Sequence, residues 1–544
     1  MGKMKVEPTE ARELAIYFPP NTTLEDLAGG QRFKSMDRHE AFYENRQDRD
    51  KSYNWDGYFN GYGQEAAIKP GWYVPLSQRR PATTMPLARM IVSRLNSMLF
   101  GVQNRPDVLV TGDENSESFV REVAKESSLW QRMIEARKIG GSSGTVAMSY
   151  GYSEGKPRVE VHRGKHCRVL FWDDFPEKIP AIVMKAYEYT KEVFDPETGK
   201  PKEKVFYFVR YWDSEVEVTW EMVPQKVART SGWHLVSIPD RIVWHDTGWC
   251  PVVWIQNTSN SEDDDGEADY VGSLDDMDQI NRLKSASCKG TIANVDPTLV
   301  VKQDVTKNHG SVRKGSENAI FSAGGAEYLE LQGSSITAAE QKLDSLRQDV
   351  IDAAQVILPT PETVTGSVQS AAALRILFAP MTSRCDTLRE QYGDRGIVRV
   401  LTGLLKQAKL EHVQVSLEPR VESETDEDGN QSTELVQHVP GEREVISLAW
   451  PPYFPATWTD RQQAAATASA AAGQKSILSQ RTAIQSVAQL FGVEDVDAEM
   501  AAIKGEQEAS LEAEAKALAA LDPMNFQDDE EPPAKKKPGE EDDE

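Results

Sequence analysis

The feature that most constrains this chain is a run of apolar residues between positions 336 and 357, repeated at alternating spacings of three and four. This spacing predicts a helix of three heptads packed along one face against a neighbour. Alanine occupies two seam positions and charged residues cover the other faces, so the helix should approach its neighbour closely. We expect the large apolar residues to carry the packing: Ile336, Leu343, Leu346 and Val350. Ala339, Ala353 and Ile357 complete the seam.

A second helix and a small mixed segment precede the seam. Ser273 is a suitable N-cap with Asp276 three residues later, and an apolar stripe then continues to about Asn294. Between the two helices we expect short strands around 298–301, 319–322 and 328–331. The pattern therefore predicts a helical hairpin with a small α/β insert at 296–334.

A polar loop with prolines follows the seam. Pro359 and Pro361 should end the seam helix, and residues 362–370 are polar. A long helical region then covers 371–409, and Pro380 is expected to kink or break it. A proline-bearing loop between two helical regions suggests a mobile element.

The first 144 residues predict an arm and two helices. Residues 1–75 are rich in charges and aromatic residues without a sustained period, so we expect an arm with short helices. A helix should begin after Pro86 and end at Gly101. Another, at 116–139, should enter a glycine-rich turn at 140–144.

Residues 145–254 are a mostly β region. Short runs of Val, Tyr, Phe and Trp alternate with turn residues, and 204–211 and 215–220 read as consecutive antiparallel strands. The acidic run at 262–266 is expected to be an exposed linker.

The C-terminal part predicts a hairpin and a helical end. Residues 412–450 should form a β-hairpin with its tip at 422–431, and helices should follow at 459–472, 480–491 and 495–518. The acidic segment 522–544 is expected to be disordered. The whole pattern predicts the α+β class.

The composition is globular and strongly acidic. The chain has 544 residues, a length that favours about three to four domains. Lys and Arg number 61 and Asp and Glu number 86, giving a formal net charge of −25. Affinity for nucleic acid comes from cations that neutralise phosphates, so this balance argues against a protein whose whole surface grips DNA.

The four cysteines have no short spacing, so neither a disulfide framework nor a zinc knuckle is indicated. The N-terminus lacks the apolar run of a signal peptide, and no stretch approaches the roughly 18 apolar residues of a membrane span. We therefore expect an intracellular, soluble protein. The cysteines are Cys167, Cys250, Cys288 and Cys385.

The glycine-rich segment at 140–144 matches two catalytic patterns in composition alone. A phosphate cradle needs a Lys and a hydroxyl residue where a helix starts after a strand. A nucleophile elbow centred on Ser142 also needs a strand before the turn and a helix after it, whereas the predicted order here is helix, then strand. A structural turn is the better interpretation.

Two further patterns are weak metal-site candidates. His162, His166 and Cys167 could share a helical face, but their surroundings predict a strand, which would splay the side chains. The run 426–429 resembles a calcium loop, yet Leu435 stands where the bidentate Glu is needed. We predict no catalytic, cofactor or metal site, while an enzyme stays unsupported rather than excluded.

Basic residues cluster in two places. Residues 66–106 carry six, which we interpret as a solvated or subunit-facing surface. The second cluster lies in the insert between the two hairpin helices and has Asp304 as its only acid; its role stays open. This second cluster is Lys302, Lys307, Arg313 and Lys314.

The order of these elements resembles that of tailed-bacteriophage portal proteins of the siphophage type. Local sequence carries the resemblance: 473–485, followed by 493–500 and Glu506, is similar to the C-terminal motif of that family. Residues 366–375 resemble its Ser-Gly-x-Ala-Leu-Lys segment with the glycine displaced.

The resemblance implies an α+β portal fold with a wing, helical stem, small clip, tunnel helix and helical crown. It implies a dodecameric homo-oligomeric ring at one capsid vertex, which passes double-stranded DNA. The implied partners are the terminase, the major capsid protein and a head-completion or adaptor protein, with no membrane. The implied location is the virion, and the host cytoplasm during assembly. The implied divisions are an arm (1–75), wing (76–271), stem helices (272–295 and 335–358), clip (296–334), tunnel loop (359–370), tunnel helix (371–409), wing return hairpin (410–458), crown (459–521) and tail (522–544).

The resemblance also assigns a lining to the channel. The tunnel loop has one acid and no basic residue, which suits a surface that DNA slides past, because each neutralised phosphate adds affinity and drag. The four cations of the second basic cluster would form a collar on the clip. Two alternatives stay open: a nucleotide-using packaging factor, and a capsid or scaffold component without a channel. The expected lining residues are Thr360, Glu362, Thr363, Thr365, Ser367 and Gln369.

Overall fold

The computed structural model describes the chain in segments. These are residues 30–46, 81–111, 114–172, 178–194, 201–225, 239–259, 262–295, 298–301, 326–329, 334–357, 371–410, 412–417, 420–425, 431–436, 440–441, 445–454, 458–472, 479–491, 493 and 496–520.

The N-terminal helices are α1 (Gln31–Glu44), α2 (Leu87–Phe100), α3 (Glu114–Glu126) and α4 (Leu129–Ser143), with strand β1 (Asp107–Val110) between α2 and α3. Helix α2 begins after Pro86 and ends at Gly101 as predicted. Helix α1 packs Phe42 and Tyr43 into the main core, so this part of the expected irregular arm is an integral helix.

The single helix predicted at 116–139 is two helices. Ser128 adopts a left-handed conformation with φ 54°, which ends the helical path between α3 and α4. The predicted turn at 140–144 is also wrong, because α4 continues through Ser143. Gly144, at φ 93°, ends it and donates its N–H to the Gly140 carbonyl at 2.7 Å.

Two antiparallel sheets follow. The first contains β2 (Thr145–Ser153), β3 (Lys156–Arg163) and β9 (Val252–Gln256) in the order β3-β2-β9. The second is a meander of β4 (Cys167–Phe171), β5 (Pro180–Phe194), β6 (Pro201–Trp212), β7 (Val216–Pro224) and β8 (Arg241–Trp244). The consecutive strands predicted around 204–211 and 215–220 are confirmed. Buried residues from both sheets, including Ala147, Val183, Trp212 and Trp254, form one shared cluster.

The segment expected to be an exposed acidic linker is anchored at several points. Residues 262–264 are exposed, but both carboxylate oxygens of Asp265 accept 2.6 Å hydrogen bonds from Arg32. Asp269 is fully buried. The prediction overlooked distant arginines that pair with these acids.

A helical hairpin comes next. It consists of α5 (Leu274–Val295), β10 (Thr298–Val301), β11 (Ala326–Leu329) and α6 (Ser334–Ala353), with β10 and β11 antiparallel. The strand predicted at 328–331 therefore lies two residues earlier, and the one at 319–322 lies outside the described residues. Helix α6 ends sooner than its seam because Gln355 is left-handed at φ 54° and the Val356 N–H bonds to the Ile351 carbonyl at 3.1 Å. Ala353 is exposed and Ile357 lies beyond the helix, so the last two seam positions were wrong.

The long helical region comprises α7 (Ala371–Arg389), a π-helical segment (Glu390–Val398) and α8 (Arg399–Ala408). The predicted break at Pro380 is wrong, since α7 continues through it. The turn around Pro380 is exposed, where water can bond the carbonyl that proline leaves unpaired. The irregularity instead spans Gly393 and Gly396, which pack against Trp450 and Ile255.

The remaining strands are β12 (Arg420–Thr425), β13 (Gln431–Val436) and β14 (Ile446–Ala449). A hairpin is present as β12 and β13, but it covers 420–436 rather than 412–450, and residues 422–425 of the predicted tip lie within β12. Strand β14 pairs instead with β1, a contact between distant parts of the chain that the sequence pattern did not indicate. Residues 454–544 form a separate unit with α9 (Trp458–Ala472), α10 (Gln480–Phe491) and α11 (Val496–Ala520), close to the predicted bounds. The class is α+β, and the segment 522–544 lies outside the described residues.

Candidate functional site

The main site candidate is a buried cluster where α4, the segment before α5, the end of α6 and α7 meet. We call Arg137, Asn257, Asp269, Arg384 and Tyr392 the junction. Its centre is a fully buried ion pair, in which Arg137 Nη2 donates to Asp269 Oδ2 at 2.8 Å. Burial, the largest single effect, lowers the pKa of the Arg137 guanidinium, but Asp269 together with Tyr392 and Cys385 outweighs it, so the pKa is raised.

Arg384 connects this ion pair to two helices. From α7, its Nη2 donates to the Asp269 backbone carbonyl at 3.1 Å and to Asp269 Oδ1 at 3.3 Å. Its Nη1 donates to the Ala354 carbonyl at 3.0 Å, immediately after α6 ends. Helix termini leave carbonyls without helical partners, so one side chain both caps α6 and fixes it to α7.

Asn257 and Tyr392 complete the junction. Asn257 Nδ2 donates to Asp269 Oδ1 at 2.9 Å, and the Tyr392 hydroxyl donates to Asn257 Oδ1 at 3.0 Å. The Arg137 guanidinium also lies 5.4 Å from the centroid of the Tyr392 ring. Burial raises the pKa of Tyr392, which keeps the hydroxyl protonated as a donor.

The two helical glycines of α4 leave space for the junction. A Cβ on Gly140 would lie 2.0 Å from the Tyr392 hydroxyl oxygen, and one on Gly141 would lie 2.0 Å from Arg137 Nη1. Their role is therefore close packing within a helix. Ser142 is buried beside them and its hydroxyl donates to the Ile139 carbonyl at 2.9 Å, so the structure gives its Oγ a partner within α4 itself.

The histidines flagged by the sequence have protein partners. His162 on β3 is buried, with Nε2 2.8 Å from Ser149 Oγ and Nδ1 3.2 Å from Lys185 Nζ. The His166 ring lies between the rings of Phe33 and Tyr187, at centroid distances of 5.5 and 5.6 Å. Burial, with help from nearby cations, lowers the pKa of His166 to about 3.

Cys167 is buried, and burial raises the pKa of its thiol to about 11. Among the described residues, no three His, Cys, Asp or Glu side chains form a group that could hold a metal ion. The calcium-like run at 426–429 lies outside those residues.

Ion pairs also fix α1 in place. Lys165 Nζ lies 2.6 Å from both Asp37 Oδ1 and Glu40 Oε2, and all three side chains are buried. Arg163 donates to the same Glu40 oxygen at 2.6 Å. Sequence reasoning missed these contacts because about 125 residues separate the partners.

Among the described residues, the helical hairpin is most buried toward its base. Leu274 and Met277 of α5 and Val350 of α6 belong to the main core. At the far end of α5, Ile292 is 55% exposed and Val295 is 81% exposed. The hairpin therefore projects from the core and presents apolar side chains at its outer end.

Comparison with known families identifies the family to which this chain belongs. A family model described as phage portal protein, SPP1 Gp6-like, matches residues 38–513. The chain belongs to this portal protein family. No curated protein matches the sequence.

The family fixes the general role of this portal protein. Portal proteins are structural, generally non-enzymatic components of the bacteriophage virion, where they form an oligomer at a capsid vertex and act in genome packaging. Within the described parts of the chain, no helix combines the length and apolar character needed to cross a membrane.

The structure locates some of the portal residues expected from sequence. Ile336, Leu343 and Leu346 are half-buried on α6, and Val350 is buried in the core. The tunnel-loop candidates Thr360, Glu362, Thr363, Thr365, Ser367 and Gln369 lie outside the described residues, as do the clip candidates Lys302, Lys307, Arg313 and Lys314.

The junction itself was not predicted. Its one sequence signal is Arg137, which lies between Met133, Ala136 and Gly140 on the buried face of α4. A cation within an apolar stripe requires a buried anion. Nothing in the sequence identifies that anion as Asp269, 132 residues away.

Proposed function

We propose that this portal protein forms the ring-shaped channel through which the terminase packages double-stranded DNA and through which the DNA later leaves. The observation that carries this proposal is the family match over residues 38–513. In this proposal the ring is a dodecamer, and the major capsid protein and a head-completion or adaptor protein attach to it. The subunits are synthesised in the host cytoplasm before they enter the virion.

The elements suit the parts of such a ring. We assign α5 and α6 to the stem, the intervening insert 296–334 to the clip, and residues 359–370 to the tunnel loop. The region from α7 to α8 is the tunnel helix. The wing consists of 76–271 with the return hairpin 410–458, and the crown consists of 459–521.

Exposed apolar side chains on these helices support assembly. Ile292 and Val295 of the stem and Ile376 of the tunnel helix are each more than half exposed. Exposed apolar surface of this kind is typical of interaction sites. Contact between two different faces of identical subunits closes into a ring when the rotation between them is suitable.

The junction has a role in this proposal. Arg384 joins the end of the stem helix to the tunnel helix, and its partner Ala354 comes shortly before the segment assigned to the tunnel loop in the sequence. A displacement of the tunnel helix would therefore act on the stem through a buried charge cluster. The loop itself, with Glu362 and no cation, would line the channel and touch DNA weakly.

Imaging and native mass spectrometry test this proposal against its alternatives. Purified full-length chain, assembled at high concentration, is expected to give an annulus with a central hole and a mass of twelve subunits. Monomers that hydrolyse ATP would support a nucleotide-using packaging factor. Closed particles or sheets without a hole would support a capsid or scaffold component.

A further inference from the structure

The strands β5 and β6 extend beyond the rest of their sheet. Strand β4 pairs with β5 only as far as Lys185, and β7 ends opposite Phe206. Their own pairing continues to Phe194 opposite Pro201, with no third strand there among the described residues. We call residues 187–194 and 201–208 the ribbon. Its inner residues Phe206 and Tyr207 still pair with β7, and its outer part, 190–194 with 201–205, has two strands. A two-stranded ribbon is only marginally stable by itself in water.

The outer ribbon places like charges opposite each other on both faces. Lys191 pairs with Lys204 on one face, and Glu192 pairs with Glu203 on the other. Lys202 adds a third cation to the first face, opposite Val193. All five charged side chains are exposed. Like charges directly opposite on adjacent strands are destabilising, so both faces are unfavourable in an isolated copy.

Neither set of charges is neutralised within the described parts of one copy. No ion pair within 4.0 Å joins Lys191, Lys202 or Lys204 to a carboxylate there, or Glu192 or Glu203 to a cation. Lys191 Nζ instead donates to Met222 Sδ at 3.6 Å. The ribbon therefore has a lysine face and a glutamate face, which are complementary to each other.

Aromatic rings extend the lysine face toward the core. Tyr187 stacks on Phe208 across the strands at a centroid distance of 5.1 Å, and Tyr189 lies 6.2 Å from Phe206. All four rings are partly exposed. Phe194 lies at the outer end on the opposite face, with Glu192, and is 74% exposed. Stacking between Tyr187 and Phe208 occupies the ring faces that nucleotide bases would need, which favours a protein partner.

We propose that the lysine face of each ribbon packs against the glutamate face of the ribbon in the neighbouring copy. This inference rests on the proposed ring, and it names the contact that the wing contributes. Each copy uses two different faces, so one face stays available for the next copy until the ring closes. The half-exposed rings supply apolar contact beside the paired charges.

Charge reversal on one face at a time tests the contact. In full-length K191E/K204E both ribbon faces are acidic, and in E192K/E203K both are basic. Each variant alone is expected to need at least about tenfold more protein for half-assembly in sedimentation velocity, because like charges would meet between copies. K34E/K156E, which reverses two exposed lysines outside the ribbon, is the matched control and should assemble like the wild type.

Recovery of assembly when the charges are made complementary again shows whether the two faces contact each other. An equimolar mixture of the two double variants should assemble by alternation, and the quadruple variant K191E/E192K/E203K/K204E should assemble alone, because its faces are exchanged but still complementary. Circular dichroism and thermal unfolding verify that every variant is folded.

Each other result contradicts the inference. Double variants that assemble like the wild type would overturn the ribbon contact and leave the proposed ring intact. Loss of assembly in K191E/K204E but not in E192K/E203K would show that a different acidic surface contacts the lysine face. A mixture that fails to assemble would also contradict the contact. Wild-type chain that stays monomeric at all concentrations would overturn both the ribbon contact and the proposed ring.

Discussion

The junction and the ribbon both hold closely spaced charges, and they differ in where those charges find partners. In the junction, Asp269 is fully buried and is bonded by both Arg137 and Arg384 within one copy. On the ribbon, the exposed residues Lys191 and Lys204 lie opposite each other, and neither forms an ion pair with a carboxylate of the described residues. The comparison separates charges that stabilise one subunit from charges that, in the proposed contact, bind a neighbouring subunit.

The largest expected effect is the loss of the buried anion. Asp269→Asn keeps the shape of the side chain but leaves Arg137 and Arg384 without a counter-charge, and breaking a buried pair in this way costs about 3–5 kcal/mol. Urea unfolding of the full-length chain measures the change in free energy. A loss below about 1 kcal/mol would show that the junction charges are not coupled as the geometry indicates.

A smaller loss of stability is expected when a glycine that leaves space for the junction gains a side chain. In Gly141→Ala the new methyl group would lie 2.0 Å from Arg137 Nη1 and 2.6 Å from Asp269 Oδ2, so we expect a loss of about 1–3 kcal/mol.

Gly290→Ala is the matched control on the projecting hairpin, where the methyl group would make ordinary contact with Ile336 at 3.5 Å. Alanine favours helix, so this control should gain up to about 1 kcal/mol. The same unfolding measurement compares the two, and equal effects would contradict the tight packing at the junction.

Substitution of Arg384 is expected to affect stability and hydrogen exchange locally, at the end of α6. Lysine at this position keeps the charge but cannot bond the Ala354 carbonyl and Asp269 together, so Arg384→Lys should cost about 1–2 kcal/mol. Hydrogen exchange should speed up at residues 351–356, where α6 ends. Arg375→Lys, at an exposed position on the same helix, should leave that exchange unchanged.

The sequence predicted the elements whose signals are local. The helix predicted after Pro86, the strands predicted around 204–211 and 215–220, and the seam of α6 up to Val350 each depend on signals within one segment. The fold class and the family followed from the order of such segments.

The errors and omissions involve contacts between distant residues or backbone conformations that no side-chain pattern encodes. Ser128 and Gln355, both left-handed, end helices that the apolar spacing would have continued. Pro380 was expected to kink or break a helix; the helix is not broken there and instead becomes irregular at Gly393 and Gly396, beside Trp450 and Ile255. The ion pairs of Asp269 could not be predicted because their partners come from separate elements.

The smallest expected effect on stability is at the ribbon. Glu192→Gln with Glu203→Gln removes a like-charge pair that no cation in the described part of the chain neutralises, so the free energy of unfolding of the monomer should change by no more than about 0.5 kcal/mol, toward greater stability. The same double variant should weaken association between copies, because the lysine face of the neighbour loses its counter-charges. Urea unfolding at low protein concentration and sedimentation at high concentration measure the two effects separately. A destabilised monomer would show that the ribbon charges, like those of the junction, already serve the single chain, and the distinction between the two regions would then fail.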